Sequence, residues 1–372
     1  MKNSLPLGRR RLVAGVVLAA AASLALSACG GGDSAAPGSD AGSGGGGGTI
    51  AVALITKTST NPFFLAMKKG AEDEAAKQNV KLTYAAGAED GDEDGQVKAI
   101  EAAVARGDKG ILIAPNGPGT YAAITNARKQ GLYVIALDTP PDPGSIVDIT
   151  FATDNFKAGE AIGKWAAATQ NGKPANIAML DLYNDKVVSV DYGRDQGFLT
   201  GMGIDTKDPK KNGDEDKSGS YKGGKGGSYT IACNEPTQGA QDQGKAAMEN
   251  CLSKTKDINL VYTINEPAAA GAYAALKAAG KEKGVTIVSV DGGCPGVANV
   301  VSGVIGATSQ QYPLKMASLG VRAIDKFATS GTKPQPSPGL DFFNTGVTLI
   351  TDKPAAGVPS KDTTFGKANC WG

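Results

Sequence analysis

Apolar runs of strand length alternate with amphipathic, helix-patterned segments along most of the chain. These runs lie at residues 50–55, 81–86, 110–116, 133–138, 146–154, 176–181, 228–233, 259–265 and 286–291. Continuous apolar strands separated by helices are typical of parallel sheets with helices on both faces. We therefore predict an α/β fold from about Thr49 onward.

The two halves of this pattern end their strands in the same way. In each half, one strand ends in asparagine (Asn116, Asn265), and the strand after the next helix ends in aspartate (Asp138, Asp291). Ligands of open α/β sheets bind at the carboxyl ends of the strands. We therefore predict two Rossmann-like (flavodoxin-like) lobes with parallel sheets, whose strand ends face each other across a cleft. The polar, glycine-rich segment 207–227 is predicted to be a mobile insertion.

The first 48 residues follow a different pattern. Lys2 and the arginines at 9–11 precede an apolar run that ends in Leu-Ser-Ala before Cys29, so residues 1–28 are predicted to be a signal peptide. Cys29 matches the lipidated cysteine of a bacterial lipobox. An ordinary signal peptide or a short membrane anchor is the alternative. Residues 29–48 are predicted to be a flexible linker. We expect an exported lipoprotein on the extracellular or periplasmic side of the cell membrane, held there only by its lipid.

Composition excludes several classes of function. Lys and Arg number 38 against 37 Asp and Glu, so the chain has no net field to attract nucleic acid. Histidine is absent, which removes Ser-His-Asp and Cys-His catalysis and the commonest zinc ligand. The roughly 320 residues after the linker exceed the usual size of one domain. We expect a two-lobed monomer without cofactor or metal.

Four cysteines remain after Cys29. An even number in an exported chain predicts disulfides, and four cysteines allow three pairings. We favour Cys233–Cys251 and Cys294–Cys370, because the second bond would pin the C-terminal tail, residues 353–372. The other two pairings stay open at this point.

An Asn-Pro-Phe-Phe motif at 61–64 joins the first strand to the first helix. It is followed in order by Leu-Asp at 137–138, GRDQGF at 193–198, TINEPAAAGAYAAL at 263–276, VDGG at 290–293 and GATSQQYP at 306–313. With these motifs the chain resembles, over about 49–352, the type I periplasmic sugar-binding proteins of ABC importers, in their ribose and fructose branch. Three of the runs most resemble fructose-type receptors. The resemblance implies a three-strand hinge between a first lobe (49–152 plus 312–344) and a second (153–311 plus 345–352).

The resemblance also implies a monosaccharide site. The matching residues are Asn61, Phe63, Phe64, Asp138, Arg194, Asn265, Asp291 and Gln311. Aromatic rings pack on the C–H faces of a sugar, while carboxylates, amides and a guanidinium pair with its hydroxyls. Structural alternatives are a core phenylalanine, a helix-capping asparagine, a surface salt bridge for the arginine, and amides that bond local backbone. We expect Phe64→Ala to abolish binding and to leave stability near wild type. Thr139 replaces an arginine of ribose receptors, which favours a different ketose or hexose.

Three other patterns are weaker. Asp90 to Glu101 fits the EF-hand spacing, but a strand precedes it and a helix is predicted to begin after Gly95, with Asp94 as its cap, so we predict no calcium site. The run from Gly219 misses a P-loop because glycine occupies position 226, where serine or threonine is required. Trp165 is predicted to be a core residue and not a sugar platform.

The sequence therefore predicts a receptor that closes over fructose or a similar pentose or hexose and delivers it to an ABC permease and its ATPase subunit. A sugar sensor without transport is one alternative. A secreted carbohydrate-active enzyme, which needs paired carboxylates, is another. A sugar-sensing repressor would need an N-terminal helix-turn-helix, where this chain has a signal-like sequence.

Overall fold

A computed structural model describes residues 48–255 and 257–372. The predicted signal peptide, the lipidation site Cys29 and the predicted linker up to residue 47 lie outside the described residues. Within the described ranges, no helix combines the length and apolarity that a membrane span needs.

The first lobe is built on a parallel sheet. Its strands are β1 (Ile50–Thr56), β2 (Val80–Ala86), β3 (Gly110–Ile113), β4 (Tyr133–Leu137) and β5 (Ile149–Ala152), in the spatial order β5-β4-β3-β1-β2. The connecting helices are α1 (Pro62–Ala75), α2 (Glu93–Arg106) and α3 (Tyr121–Lys129). Along β1, Val52 and Leu54 face the core under α1, while Ala53 and Ile55 face the core under α2 and α3. Both faces of the sheet are therefore covered, which explains the continuous apolar runs.

The second lobe repeats this plan. Its helices are α4 (Asn155–Gln170), α5 (Ser189–Met202), α6 (Gln241–Lys254), α7 (Glu266–Ala278) and α8 (Cys294–Val301). Its strands are β6 (Ala175–Asp181), β7 (Ser218–Tyr221), β8 (Gly227–Pro236), β9 (Leu260–Thr263), β10 (Thr286–Asp291) and β11 (Ala307–Gln310), in the order β11-β10-β9-β6-β8-β7. β7 pairs antiparallel with β8. Segment 207–227 is therefore part of the sheet in its second half, because Tyr221 is buried in the lobe core and anchors that strand.

The chain crosses between the lobes three times. The last elements are α9 (Pro313–Ser330), β12 (Phe343–Asn344), β13 (Thr348–Ile350) and α10 (Thr363–Asn369). After β11 the chain returns to the first lobe, where α9 packs against α1 and β12 pairs with β5. It then crosses again, and β13 pairs antiparallel with β11. The predicted two-lobe α/β fold is confirmed, with antiparallel strands at two sheet edges.

Helices α4 and α5 approach each other through glycines. A Cβ atom at Gly159 would lie 2.1 Å from the carbonyl oxygen of Arg194, and one at Gly197 would lie 2.2 Å from that of Phe156. No side chain fits at such distances, so the two backbones pack directly against each other. This contact fixes Arg194 relative to the start of α4.

The structure contains both disulfides that we favoured. Cys233–Cys251 joins β8 to α6, and Cys294–Cys370 joins α8 to the C-terminal tail. Trp165 is 2% exposed in the second-lobe core, and its indole Nε1 donates a hydrogen bond to the carbonyl of Lys353 at 2.7 Å.

Candidate ligand-binding cleft

All eight residues that the sequence assigned to the ligand line one cavity between the lobes. The others lining it are Lys57, Asp90, Leu182, Val190 and Ile264. Its volume is about 30 Å³. The cavity is therefore narrow and has walls from both lobes.

Phe63 and Phe64 form the apolar wall of the cavity at the start of α1. Their rings meet edge to face with centroids 5.3 Å apart, and the residues are only 4% and 3% exposed. Both also belong to the first-lobe core. This burial contradicts our expectation that Phe64→Ala would leave stability near wild type, because deleting a buried phenylalanine costs about 3–5 kcal/mol.

Asn61 holds this wall in place. Its side-chain Oδ1 accepts a hydrogen bond from the Phe63 amide at 2.9 Å, and Pro62 occupies the first helical position. The capping role is therefore present, and the residue still lines the cavity.

Asp138 follows β4 with φ 65°, a left-handed conformation that is uncommon outside glycine. Its Oδ2 accepts a hydrogen bond from the Thr139 hydroxyl at 2.8 Å. Its Oδ1 accepts none from the described residues and lies 3.7 Å from Nη2 of Arg194. One buried acceptor is therefore available in the cavity wall.

Arg194 is 4% exposed, so the surface salt-bridge interpretation is wrong. Its Nε donates to Oδ1 of Asn155, and its Nη1 donates to the carbonyl of Ile264, each at 2.9 Å. These two bonds orient the guanidinium, and its Nη2 points toward Asp138. A fixed cationic donor beside a free carboxylate oxygen suits a hydroxyl group, which both donates and accepts.

Asp291 occupies the equivalent strand end in the second lobe, with φ 144°. It accepts hydrogen bonds from Nε2 of Gln311 at 2.8 Å and from the amide of Glu266 at 3.3 Å. Burial raises its pKa to about 6, although Arg194 acts in the opposite direction. Burial, reinforced by the charge of Asp291, also raises the pKa of Glu266 to about 8.

Glu266 supports the turn that follows Asp291. Its carboxyl oxygens accept hydrogen bonds from the amides of Gly292 at 2.9 Å and Gly293 at 3.0 Å and from the Thr308 hydroxyl at 2.8 Å. Glu266 was not predicted as a site residue, because a glutamate at the start of a helix gives no sign of burial in the sequence.

The amide side chains of Asn265 and Gln311 form hydrogen bonds with neighbouring protein groups. Asn265 caps α7 through the Ala268 amide at 3.1 Å and donates to the carbonyl of Gly239 at 3.0 Å. Gln311 accepts from the Thr153 hydroxyl at 3.0 Å, at a point where the chain crosses between lobes. Both residues line the cavity with their structural bonds already made.

Lys57 and Asp90 also line the cavity and were missed. Lys57 is 2% exposed, and among the described residues its one ion pair places Nζ 3.8 Å from Oδ1 of Asp90. Asp90 also accepts a hydrogen bond from the Tyr183 hydroxyl of the opposite lobe. A signal existed for Lys57, since it directly follows β1 as Asp138 follows β4.

The EF-hand spacing has a structural explanation. Helix α2 begins at Glu93, and Asp92 caps it by accepting from the Gly95 amide at 2.9 Å, so the predicted start after Gly95 and the predicted cap Asp94 are wrong. Glu101 is exposed on the helix. In the described parts of the chain, no three carboxylates or cysteines are grouped as metal ligands.

Two carboxylates are buried beside the site, at the end of β6 and in α5. Asp181 and Asp195 are 0% exposed, and each affects the pKa of the other. Burial, together with neighbouring carboxylates, raises the pKa of both well above the ordinary value. The free energy of unfolding is therefore expected to fall as the pH rises and these groups lose their protons.

Comparison with known proteins gives the family. Residues 52–333 match the family described as periplasmic binding protein domain. The ribose import binding protein RbsB of Haemophilus influenzae is 28% identical over 276 residues, which are 74% of this chain and 84% of that protein. The galactofuranose-binding protein YtfQ of Escherichia coli is 28% identical over 273 residues, 71% of this chain and 78% of that protein.

Solved structures of binding proteins have the same fold as this chain. An ABC transporter solute binding protein from Agrobacterium vitis with bound D-fucose superposes with a TM-score of 0.68 at 25% identity, covering 84% of this chain and 100% of that one. A galactofuranose binding protein superposes with a TM-score of 0.67 at 25% identity, covering 81% and 94%. This chain therefore belongs to the periplasmic binding protein family, and it is a solute-binding protein and not an enzyme.

Proposed function

We propose that this chain is the sugar-binding protein of an ABC importer, which binds one monosaccharide in the interlobe cleft and delivers it to a membrane permease. The observation that carries the proposal is that all eight residues that the resemblance assigned to the ligand line one cavity. Relatives named for ribose and galactofuranose, and a structural neighbour holding D-fucose, support the same ligand class.

The chemistry of the walls suits a sugar ring. Phe63 and Phe64 offer apolar surface to a face of C–H groups, while Arg194, Asp138 and Asp291 surround the ring with donors and acceptors. The buried ammonium of Lys57 adds a further donor for a hydroxyl.

The identity of the sugar rests on fewer residues. Thr139 donates to Asp138, where the resemblance places an arginine in ribose receptors. Compared with ribose receptors, this site therefore lacks a cation after β4. It has the cation Lys57 after β1. We propose fructose or a similar pentose or hexose as the ligand.

Domain closure is the proposed mechanism. Contacts already join the lobes across the cleft, including Ser189 to the carbonyl of Pro140 and Lys186 to that of Gly91 at 3.2 Å. A ligand held by residues of both lobes stabilises this closed arrangement over an open one. The closed receptor would then dock on the permease, and a separate ATPase subunit would supply the energy.

The test is calorimetric titration of residues 49–372, unfolded and refolded to remove co-purified ligand, with fructose, ribose, xylose, galactose, glucose and inositol. Saturable one-to-one binding of one sugar, without turnover of disaccharides, is expected. The absence of heat with every sugar would show that the proposed function is wrong. Sugar uptake in cells that lack or carry the chain separates transport from sensing.

We also propose that Cys29 anchors the protein by its lipid. Cys29→Ala is expected to move the protein from the membrane fraction to the medium or periplasm. Retention of this variant on the membrane would contradict the lipid anchor.

A further inference from the structure

We propose that Trp371, in the C-terminal tail, is a positioning residue for the ligand site, because it holds Phe63 in the cavity wall from the opposite lobe. This inference rests on the proposed function. Trp371 itself does not line the cavity; it lies behind Phe63, where their rings meet edge to face with centroids 5.3 Å apart.

The backbone of Trp371 is fixed to the second lobe. The adjacent Cys370 forms the disulfide with Cys294 at the start of α8, and the Cys294 amide donates a hydrogen bond to the Trp371 carbonyl at 2.9 Å. Helix α10 also packs against α8. The tail therefore moves with the second lobe.

The side chain reaches the hinge and the first lobe. The indole Nε1 donates to the carbonyl of Gln311 at 2.9 Å, and Gln311 is the residue whose side chain binds Asp291. The ring is 6% exposed and belongs to the first-lobe core together with Phe63. One side chain of the second lobe therefore completes the packing of the first.

Gly293 leaves room for this arrangement. A Cβ atom there would lie 3.3 Å from the indole ring and 3.3 Å from the carboxylate of Glu266. The turn next to Asp291 therefore packs against the indole, and the indole packs against Phe63. These contacts run from the second lobe to the first. The distance between the aromatic wall and the Asp291 carboxylate is set through Trp371.

Removal of the indole leaves a void behind Phe63, into which that ring can turn. Aromatic pairs contribute beyond their buried area, so Trp371→Ala is expected to weaken sugar binding by roughly tenfold. Trp371→Phe keeps a ring edge against Phe63 and loses the Nε1 hydrogen bond. It is expected to bind within about threefold of wild type.

Trp165→Phe is the matched control, since it alters the other tryptophan, in the second-lobe core, without touching the cleft. Calorimetry and thermal melts are measured for wild type and every variant, so that a change in affinity is separated from a change in stability. We expect the control to keep wild-type affinity even where its melting temperature falls.

Wild-type binding is measured first. Failure of wild type to bind any sugar refutes the proposed function and not the packing argument. If wild type binds, a folded Trp371→Ala variant with wild-type affinity overturns the inference. If Trp371→Ala does not fold, Trp371→Leu takes its place, since it fills part of the volume and removes the ring that contacts Phe63: wild-type affinity in the folded Trp371→Leu variant overturns the inference, and an affinity loss that the Trp165→Phe control does not show supports it.

Discussion

Asp291→Asn should make the protein more stable and its ligand binding weaker. The asparagine keeps the shape of the aspartate and removes a buried charge. Its Oδ1 can accept from the Glu266 amide, and its Nδ2 can donate to Gln311 once that side-chain amide flips. The flipped Gln311 then donates to the Thr153 hydroxyl, so each existing hydrogen bond has a replacement.

The stability gain follows from the pKa of Asp291. Its pKa rises from 3.8 to about 6 on folding because of burial. Between about pH 4 and pH 6 the folded state therefore holds a proton that the unfolded state has released, and near neutral pH the buried charge costs about 3 kcal/mol of stability. This cost is small at pH 4, grows as the pH rises to about 6 and is constant above it. Asp291→Asn removes it and also relieves Glu266, so we expect a gain of about 1–3 kcal/mol at pH 7.

Binding changes in the opposite direction. A hydrogen bond to a charged group contributes roughly 1.5–3 kcal/mol, and one to a neutral amide about half of that. Affinity for the sugar should therefore fall by roughly four- to twelvefold.

Urea unfolding between pH 4 and pH 8 and calorimetric titration at pH 7 test both signs. Asp205→Asn is the matched control, because its exposed carboxylate pairs only with the exposed Lys222 among the described residues. It should change stability by less than about 0.5 kcal/mol. A stability difference that is the same at pH 4 and pH 7, or a variant that is less stable with unchanged affinity, would refute this reasoning.

Three further predictions concern other parts of the fold. Lys57→Met should weaken sugar binding by roughly ten- to a hundredfold in calorimetry and should lower the melting temperature, since it leaves the buried Asp90 carboxylate without its cation; unchanged affinity in the folded variant would exclude Lys57 from the ligand shell. Asp195→Asn should stabilise the protein at pH 8 more than at pH 5 in urea unfolding, because Asp195 and Asp181 have raised pKa values and cost stability as the pH rises; an equal effect at both values would contradict this. Replacing Cys233 and Cys251 by alanine should cost about 3 kcal/mol for a separation of 18 residues and leave affinity unchanged; weaker binding in a folded variant would show coupling of that disulfide to the cleft.

Much of the fold could be predicted from the sequence, because the patterns that specify its strands and helix caps involve residues close together in the chain. The apolar runs predicted both sheets, since strands buried on both faces have no polar positions. The duplicated strand ends placed Asp138 and Asp291 on opposite walls of one cavity. The capping motif of Asn61 and Pro62 likewise depends on four consecutive residues.

The rest depends on contacts between distant parts of the chain. No local pattern shows that Trp371 reaches Phe63, or that Phe64 serves the core as well as the cavity. Lys57 directly follows β1, but only the packing of the two lobes shows that it is almost fully buried. The spacing from Asp90 to Glu101 matched a metal motif because helix caps use the same acidic residues as calcium loops.

The three crossings between lobes constrain the order in which the chain can fold as it is synthesised. When β5 leaves the ribosome, the first sheet still lacks β12, and α1 still lacks its cover α9, which begins at Pro313. The second lobe completes most of its sheet in the meantime. The amino-terminal half should therefore remain loosely packed until nearly the whole chain has been made, which would favour passage of the unfolded polypeptide through a membrane before it matures.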